Sequence, residues 1–231
     1  MEGAKIYYEI PILGGLPINE TMVNTWIMMA FIILLSLYLT SRLERIPKGK
    51  QVVAETLVQT FYNLVEQSMG PGKDKYAPYI GTLFMLSLVS SLSSLLTFRP
   101  PTADLNTTAA WALITFVMIQ YNGLRANGLG KRLKSFAEPS PLLLPINLLG
   151  ELSTPISMAF RHFGNIFAGM LITSLLLSAL ASITSFAPSM PAIFQIGIPA
   201  ILSIYFDLFT SGLQAFIFCM LTMVFVKMAA D

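Results

Sequence analysis

His162–Phe206 reads HFGNIFAGMLITSLLLSALASITSFAPSMPAIFQIGIPAILSIYF, 45 residues without an Asp, Glu, Lys or Arg. A helix crosses the hydrocarbon core of a bilayer, about 30 Å thick, with about 20 residues at 1.5 Å rise each, so this run is long enough to cross twice. Phe186-Ala187-Pro188-Ser189-Met190-Pro191 supplies the break between the two crossings, because proline removes a helical N–H and clashes with the preceding turn. The helix before the break begins near Leu142 and carries Arg161 inside it. The helix after it begins near Ala192 and ends at Lys227, with Asp207 inside.

Outward from this run, three more charge-free stretches are each one span: 21 residues between Glu20 and Arg42, 23 between Lys75 and Arg99, and 20 between Asp104 and Arg125. The composition agrees. Of 231 residues, 55% are hydrophobic and 11% charged, mean hydropathy is +0.69, and net charge is +2. Soluble domains carry roughly a quarter charged residues, and neither the polar bulk of a disordered chain nor the basic field of a nucleic-acid binder is present. The expected fold is an all-α integral membrane protein in a lipid bilayer, with no nucleic-acid partner. It comprises a segment 1–20 outside, five transmembrane helices over 22–40, 77–97, 108–124, 142–185 and 192–227, and one amphipathic helix over 51–69. In the amphipathic helix Val53, Leu57, Phe61, Leu64 and Val65 recur at helical spacing, while Glu55, Gln59, Tyr62 and Glu66 fall mostly on other faces. That pattern predicts a helix in the membrane interface, the alternative being a linker helix packed on other subunits.

Lys and Arg counts set the orientation. Arg42, Arg45, Lys48, Lys50, Lys73, Lys75, Arg125, Lys131, Arg132, Lys134 and Lys227 fall on one side of the five spans, against Lys5 and Arg99 on the other. Eleven against two places the N-terminus outside and the C-terminus in the cytoplasm. Met1-Glu2-Gly3-Ala4-Lys5 has no basic run before the first apolar helix, so no removable signal is expected. Cys219 has no second cysteine to pair with and reads as a small packed residue.

Two charges remain inside the spans. A charged side chain at the bilayer centre costs about 2.5 to 3.5 kcal/mol even on insertion scales, so it normally faces protein or water and serves a function. At 100° per residue Thr154, Ser157, Asn165 and Ala168 share the face of Arg161, and Ala200, Ser203, Ser211 and Gln214 share that of Asp207. Two such stripes imply a hydrated or tightly packed seam. A plain alternative is a buried Arg161–Asp207 pair that only docks two helices, although such pairs often fail to recover their desolvation cost. No internal repeat, HExxH, GxxxxGKS or GxSxG occurs, so no catalytic or metal-binding set and no cofactor is expected.

Phe160-Arg161-His162-Phe163-Gly164-Asn165-Ile166-Phe167-Ala168-Gly169, preceded by Pro155-Ile156-Ser157, resembles the signature of subunit a of the rotary F-type ATP synthases. Leu213-Gln214-Ala215-Phe216-Ile217-Phe218 is similar to that family's second signature, and Pro101-Thr102-Ala103-Asp104-Leu105-Asn106 to its outer-loop motif. The three motifs stand in the family's order and cover nearly the whole chain. The resemblance implies a non-catalytic stator whose last two helices form a long, tilted hairpin against a rotating ring of c subunits. Two offset half-channels would lead from opposite faces to the carboxylate each c subunit carries, in a bacterial plasma membrane. Its partners would be the c-ring, peripheral-stalk b subunits and the remaining complex with its soluble catalytic head.

Arg161 matches the family's essential arginine, whose positive charge would favour the ionised ring carboxylate and release its ion. Asn165 and Gln214 match the asparagine and glutamine near it, and Asp104 and Asn106 match an outer-loop pair placed at the outer entrance. Glu151, on the cytoplasmic side of Arg161, would line the inner half-channel, while Ser203 and Ser211 continue the polar stripe. The chain departs from the pattern in three places. Met170 stands where members carry Glu or His, Asp207 holds the partner position seven residues before Gln214, and His162 replaces an apolar residue. Asp207 is thereby expected to be the main titratable group of the outer half-channel, and His162 a relay or a packed ring. Two other readings are an anion transporter built on Arg161 and a membrane enzyme using His162 with Asp207.

Overall fold

The computed structural model describes residues 5–11, 16–96, 98–137, 140–186 and 193–230. It opens with an antiparallel hairpin of β1 (Ile6–Ile10) and β2 (Leu16–Asn19), in which Tyr8 faces Ile18 and Ile10 faces Leu16. The hairpin occupies the N-terminal segment before the first span, and every later element of the described chain is helical. Ile6-Tyr7-Tyr8 and Ile10 are the β-branched and aromatic residues that favour a pleated strand, and Pro17 sits in a strand that has only one neighbour.

Seven helices follow among the described residues: α1 (Glu20–Leu39), α2 (Lys50–Met69), α3 (Ala77–Leu92), α4 (Leu105–Phe136), α5 (Leu144–Phe186), α6 (Ile193–Ser203) and α7 (Ser211–Ala230). Asn19 caps α1 by accepting a hydrogen bond from the Met22 N–H at 3.0 Å. Beyond the cap α1 turns Trp26, Phe31, Ile33, Leu34 and Leu37 outward, as a helix facing hydrocarbon does. On α2 only the C-terminal half of the apolar face is used. Phe61 and Val65 pack inward while Val53 and Leu57 stay exposed.

Four segments are long and apolar enough to cross a membrane: Glu20–Leu39, Asp74–Leu96, Pro141–Ile183 and Gly197–Ala230. The helix expected over 108–124 is present within α4, but it is not among these four. Asn106, Thr107, Thr108, Thr115, Gln120 and Asn122 dilute its hydropathy. Rather than ending at 124, α4 continues to Phe136 across a kink at Gly128, where φ is +73°, a left-handed conformation that glycine adopts at no steric cost. The expected helix over 192–227 is likewise divided. A π-helical stretch, Ile204–Thr210, separates α6 from α7 and contains Asp207. Its wide turn is visible in the side chains, since Thr210 Oγ1 donates to the Tyr205 carbonyl at 3.0 Å and Ser211 Oγ to that of Phe206 at 3.5 Å, each five residues back. Of the break read at residues 186–191, Phe186 is the last residue of α5 and 187–191 lie outside the described residues.

The packed centre lies between α3, α4, α5 and α7, where Ile80, Leu83, Trp111, Ile119, Met158, Phe218, Met223 and Val226 interlock with Ala77, Ala112, Ala159, Cys219 and Ala229. Lipid is as apolar as leucine, so helices in a membrane associate through close packing and hydrogen bonds, and small residues permit that approach. Cys219 is one of them, 1% exposed with its Sγ 3.7 Å from the Ile80 carbonyl. Hydroxyls bridge the same helices: Tyr79 to Thr115, Thr115 to Thr222, and Tyr76 to Asn122.

Candidate ion-translocation site

Gly169 of α5 sets the geometry of the site. A Cβ there would stand 3.0 Å from the Phe206 Cβ, so glycine alone lets the π-helical stretch reach α5 at this spacing. Arg161 lies eight residues before Gly169, and Gln214 eight after Phe206. On antiparallel helices this brings Arg161 and Gln214 to within about a turn of the same depth.

Two cavities open at opposite ends of this contact. One, of about 680 Å³, is lined by Met170, Thr173, Ser174 and Ser178 of α5, Ser203 and Asp207 of the last helices, and Lys5, Glu20 and Arg99 at its mouth. Met170 and Asp207 therefore share one hydroxyl-lined space, with two cations and one further carboxylate around it. The other, of about 690 Å³, is lined by Arg132, Asn147, Glu151, Thr154, Phe116 and Phe225 among others. There Arg132 Nη2 meets Glu151 Oε1 at 2.6 Å, and Gln120 Nε2 donates to the same oxygen at 2.8 Å. The Gly128 kink folds the end of α4 back so that Arg132 reaches Gln120 of its own helix. Pro155 lacks the N–H that would bond the Glu151 carbonyl, leaving that turn of α5 more polar still.

Arg161 stands between the cavities. It is seven residues past Thr154 and nine before Met170, about 10 and 14 Å along the helix axis. Its side chain is exposed and makes no ion pair or hydrogen bond among the described residues. Ser157 and Ala168 on the same face are also exposed, and Asn165 half-buried. Gln214, by contrast, is 6% exposed, and its amide meets no hydrogen-bonding partner among the described residues.

Other sequence-predicted residues divide sharply. Ser203 joins Asp207 in one cavity, and Glu151 lines the other. Ser211 is fully buried and lines neither. Asp104 and Asn106 line neither of these two cavities. Asp104 Oδ1 accepts from the Asn106 N–H at 3.0 Å and so caps α4, while the Asn106 side chain is exposed. His162 is 1% exposed and also lines neither cavity. The Arg161–Asp207 pair expected of a simple docking role does not form. Sequence reasoning missed Lys5, Glu20, Arg99, Gln120 and Arg132. Gln120 alone carried a signal, as a polar residue deep in an apolar run. The others were counted only as charges flanking spans.

Residues 22–227 match the family described as ATP synthase A chain. The chain is 36% identical to "ATP synthase subunit a, sodium ion specific" of Propionigenium modestum, with 98% of this chain and 85% of that protein covered. It is 39% identical to ATP synthase subunit a of Moorella thermoacetica over 73% of this chain and 78% of that one. With the Legionella pneumophila (strain Paris) subunit a it shares 32% identity over 97% of this chain and 92% of the other.

Proposed function

The chain belongs to the ATP synthase A chain family, and from that premise we propose how its residues couple ion flow across the membrane to ATP synthesis. It is a multi-pass membrane subunit of the synthase. We place its N-terminus outside and its C-terminus in the cytoplasm of a bacterial plasma membrane. We take α4 as the fifth span, since its 23 residues before Gly128 are about 34 Å long. The cavity at Asp207 is then the outer half-channel and the cavity at Glu151 the inner one. Arg161 lies between them, facing the ring carboxylates of the c subunits, while peripheral-stalk b subunits hold the stator still. No bond is made or broken on this chain.

One observation carries the reading: the face of α5 that bears Arg161, Ser157 and Ala168 is left uncovered by the other described residues. A guanidinium at membrane depth needs a partner, and an acid on another subunit supplies it. As each ring carboxylate arrives, Arg161 stabilises its ionised form and the ion leaves through one cavity. As that same carboxylate moves on past Arg161 it is refilled from the other cavity, while the next arrives still loaded. The fixed charge between them opposes direct cation leakage, as cationic barriers do in other pores. Each charge crossing the potential releases about 2.3 kcal/mol per 100 mV, so several crossings drive each ATP made.

Arg161→Ala tests this directly. The complex should assemble with normal subunit content, yet ATP-driven pumping in inverted vesicles and ion-driven ATP synthesis should both be abolished. Arg161→Lys should also fail badly, since an ammonium lacks the planar fork of a guanidinium. An assembled Arg161→Ala complex that makes ATP at a near-normal rate overturns the assignment.

A further inference from the structure

His162 is next to Arg161 in the chain, and its ring touches every other helix of the packed centre. Its Nε2 lies 3.3 Å from Ser87 Oγ of α3. The Trp111 ring of α4 stands edge-on at 5.9 Å and 70°, and the Phe218 ring of α7 at 5.7 Å and 81°. Such edge-to-face pairs hold a defined ring orientation and contribute beyond simple burial. The Ser87 hydrogen bond adds a direction that an aliphatic side chain would not have. Ser87 and His162 are both almost wholly buried. The other ring nitrogen, Nδ1, is buried and has no partner among the described protein groups, and neither half-channel cavity is lined by the ring. A relay needs a partner on each side, whereas a key needs walls.

We propose that His162 is a positioning residue: its imidazole, gripped by Ser87, Trp111 and Phe218, fixes the rotation of α5 and so aims Arg161 out of the bundle. This rests on the reading of Arg161 given above. Successive helical residues point 100° apart, so locking one azimuth sets the next. α5 needs such a lock. It is 43 residues long, much of its surface outside the centre is exposed, and apolar contacts alone tolerate sliding and turning in lipid. A misplacement of about 1 Å can cost a working group as much as 100-fold in rate.

The experiment uses the whole complex in inverted vesicles, with thiol probes on two faces of α5. Single cysteines replace Ser157 or Ala168, on the open face with Arg161, or Ala159, which is buried, all in a Cys219→Ser background. Their rates of modification by a small permeant thiol reagent report the rotation of α5. In His162→Leu complexes pumping should fall roughly 10- to 100-fold. The 157 and 168 positions should react several-fold more slowly and position 159 faster. His162→Gln keeps an amide within reach of Ser87 and should restore part of both readouts. Ser87→Ala should lose part of both on its own, and add nothing in the His162→Leu background, because the two changes remove the same bond. If His162→Leu does not assemble, the Gln and Ser87→Ala variants carry the test. Near-normal pumping in an assembled His162→Leu complex overturns the proposal, and so does lost pumping with unchanged labelling. The labelling shift is read whether or not Arg161 is essential, so failure of the Arg161→Ala test and failure of this one are separate results.

Discussion

At the residue scale the decisive feature is a carboxylate, Asp207, that shares its cavity with Met170 of α5. Asp207 lines the cavity proposed as the outer half-channel together with Met170, which cannot carry a proton or hold a cation. Asp207→Asn keeps size and hydrogen bonding but removes the charge, and should slow ATP-driven ion pumping markedly while subunit content stays normal. Met170→Glu in that background should recover part of the rate, because it returns one carboxylate to the same cavity. A docking role for Asp207 forecasts the reverse: an orphaned buried charge, several kcal/mol lost, misassembly and no rescue. The geometry already weakens that view, since Arg161 is exposed and makes no pair with Asp207. Normal pumping by Asp207→Asn in inverted vesicles would remove Asp207 from the path. A second charge deserves the same treatment at the inner end. Glu151→Gln retains an acceptor for Gln120 but leaves Arg132 without its ion-pair partner in a largely shielded place. It should lower both pumping and the thermal stability of the complex, and Arg132→Gln added to it should restore stability without restoring pumping, since the stranded charge is then gone. Equal stability in the single and double variants would mean the pair holds nothing together.

At the scale of elements, what was legible in the sequence is what bilayer physics writes there. Long charge-free runs became long helices, and the stripe of Arg161 became a real face of α5, because a straight α-helix keeps 100° per residue over its whole length. Where the backbone leaves that ideal the arithmetic fails. Asp207 lies in the π-helical stretch Ile204–Thr210, whose wider turn means that a count of 100° per residue carried through it to Gln214 no longer holds. Nothing in the composition of that stretch announces it. Across the interface from it stands Gly169, where an added Cβ would be 3.0 Å from the Phe206 Cβ. Gly169→Ala should therefore cost about 1 to 3 kcal/mol by overpacking, read as a lower melting temperature of the purified complex. Phe206→Leu should not relieve it, since the clash is with the Cβ that leucine keeps. Full stability of Gly169→Ala would show that the helices part freely. The kink at Gly128 is another such case. From sequence, Arg132 is one of several loop cations; only the folded-back end of α4 gives it to Glu151.

At the scale of the molecule the two ends differ in charge, and the proposed orientation rests on that asymmetry. Eleven Lys and Arg residues were read on one side and two on the other, and the two, Lys5 and Arg99, meet at the mouth of a single cavity with Glu20. The opposite end gathers the termini of α2 and α7, where Lys227 Nζ donates to the Ser68 carbonyl at 3.3 Å. Positive loops stay in the cytoplasm, and on that rule we propose that Lys5 and Arg99 lie outside and Lys48 inside. The structure selects the probes. Thr102, though in the outer loop, is fully buried and would stay silent on either side, whereas Tyr8 is 63% exposed on the N-terminal hairpin and Lys48 is exposed after α1. Cys219 is buried, and Cys219→Ser removes any background. Tyr8→Cys should react in intact cells with a membrane-impermeant thiol reagent added outside, and Lys48→Cys only after the membrane is opened. The reverse pattern would turn the molecule over, exchange the outer and inner cavities, and move Asp207 to the cytoplasmic path. Labelling of both sites in intact cells, with the complex assembled, would mean that the segment between them does not cross at all, and α1 would have to be read as lying against the bundle instead of through the bilayer.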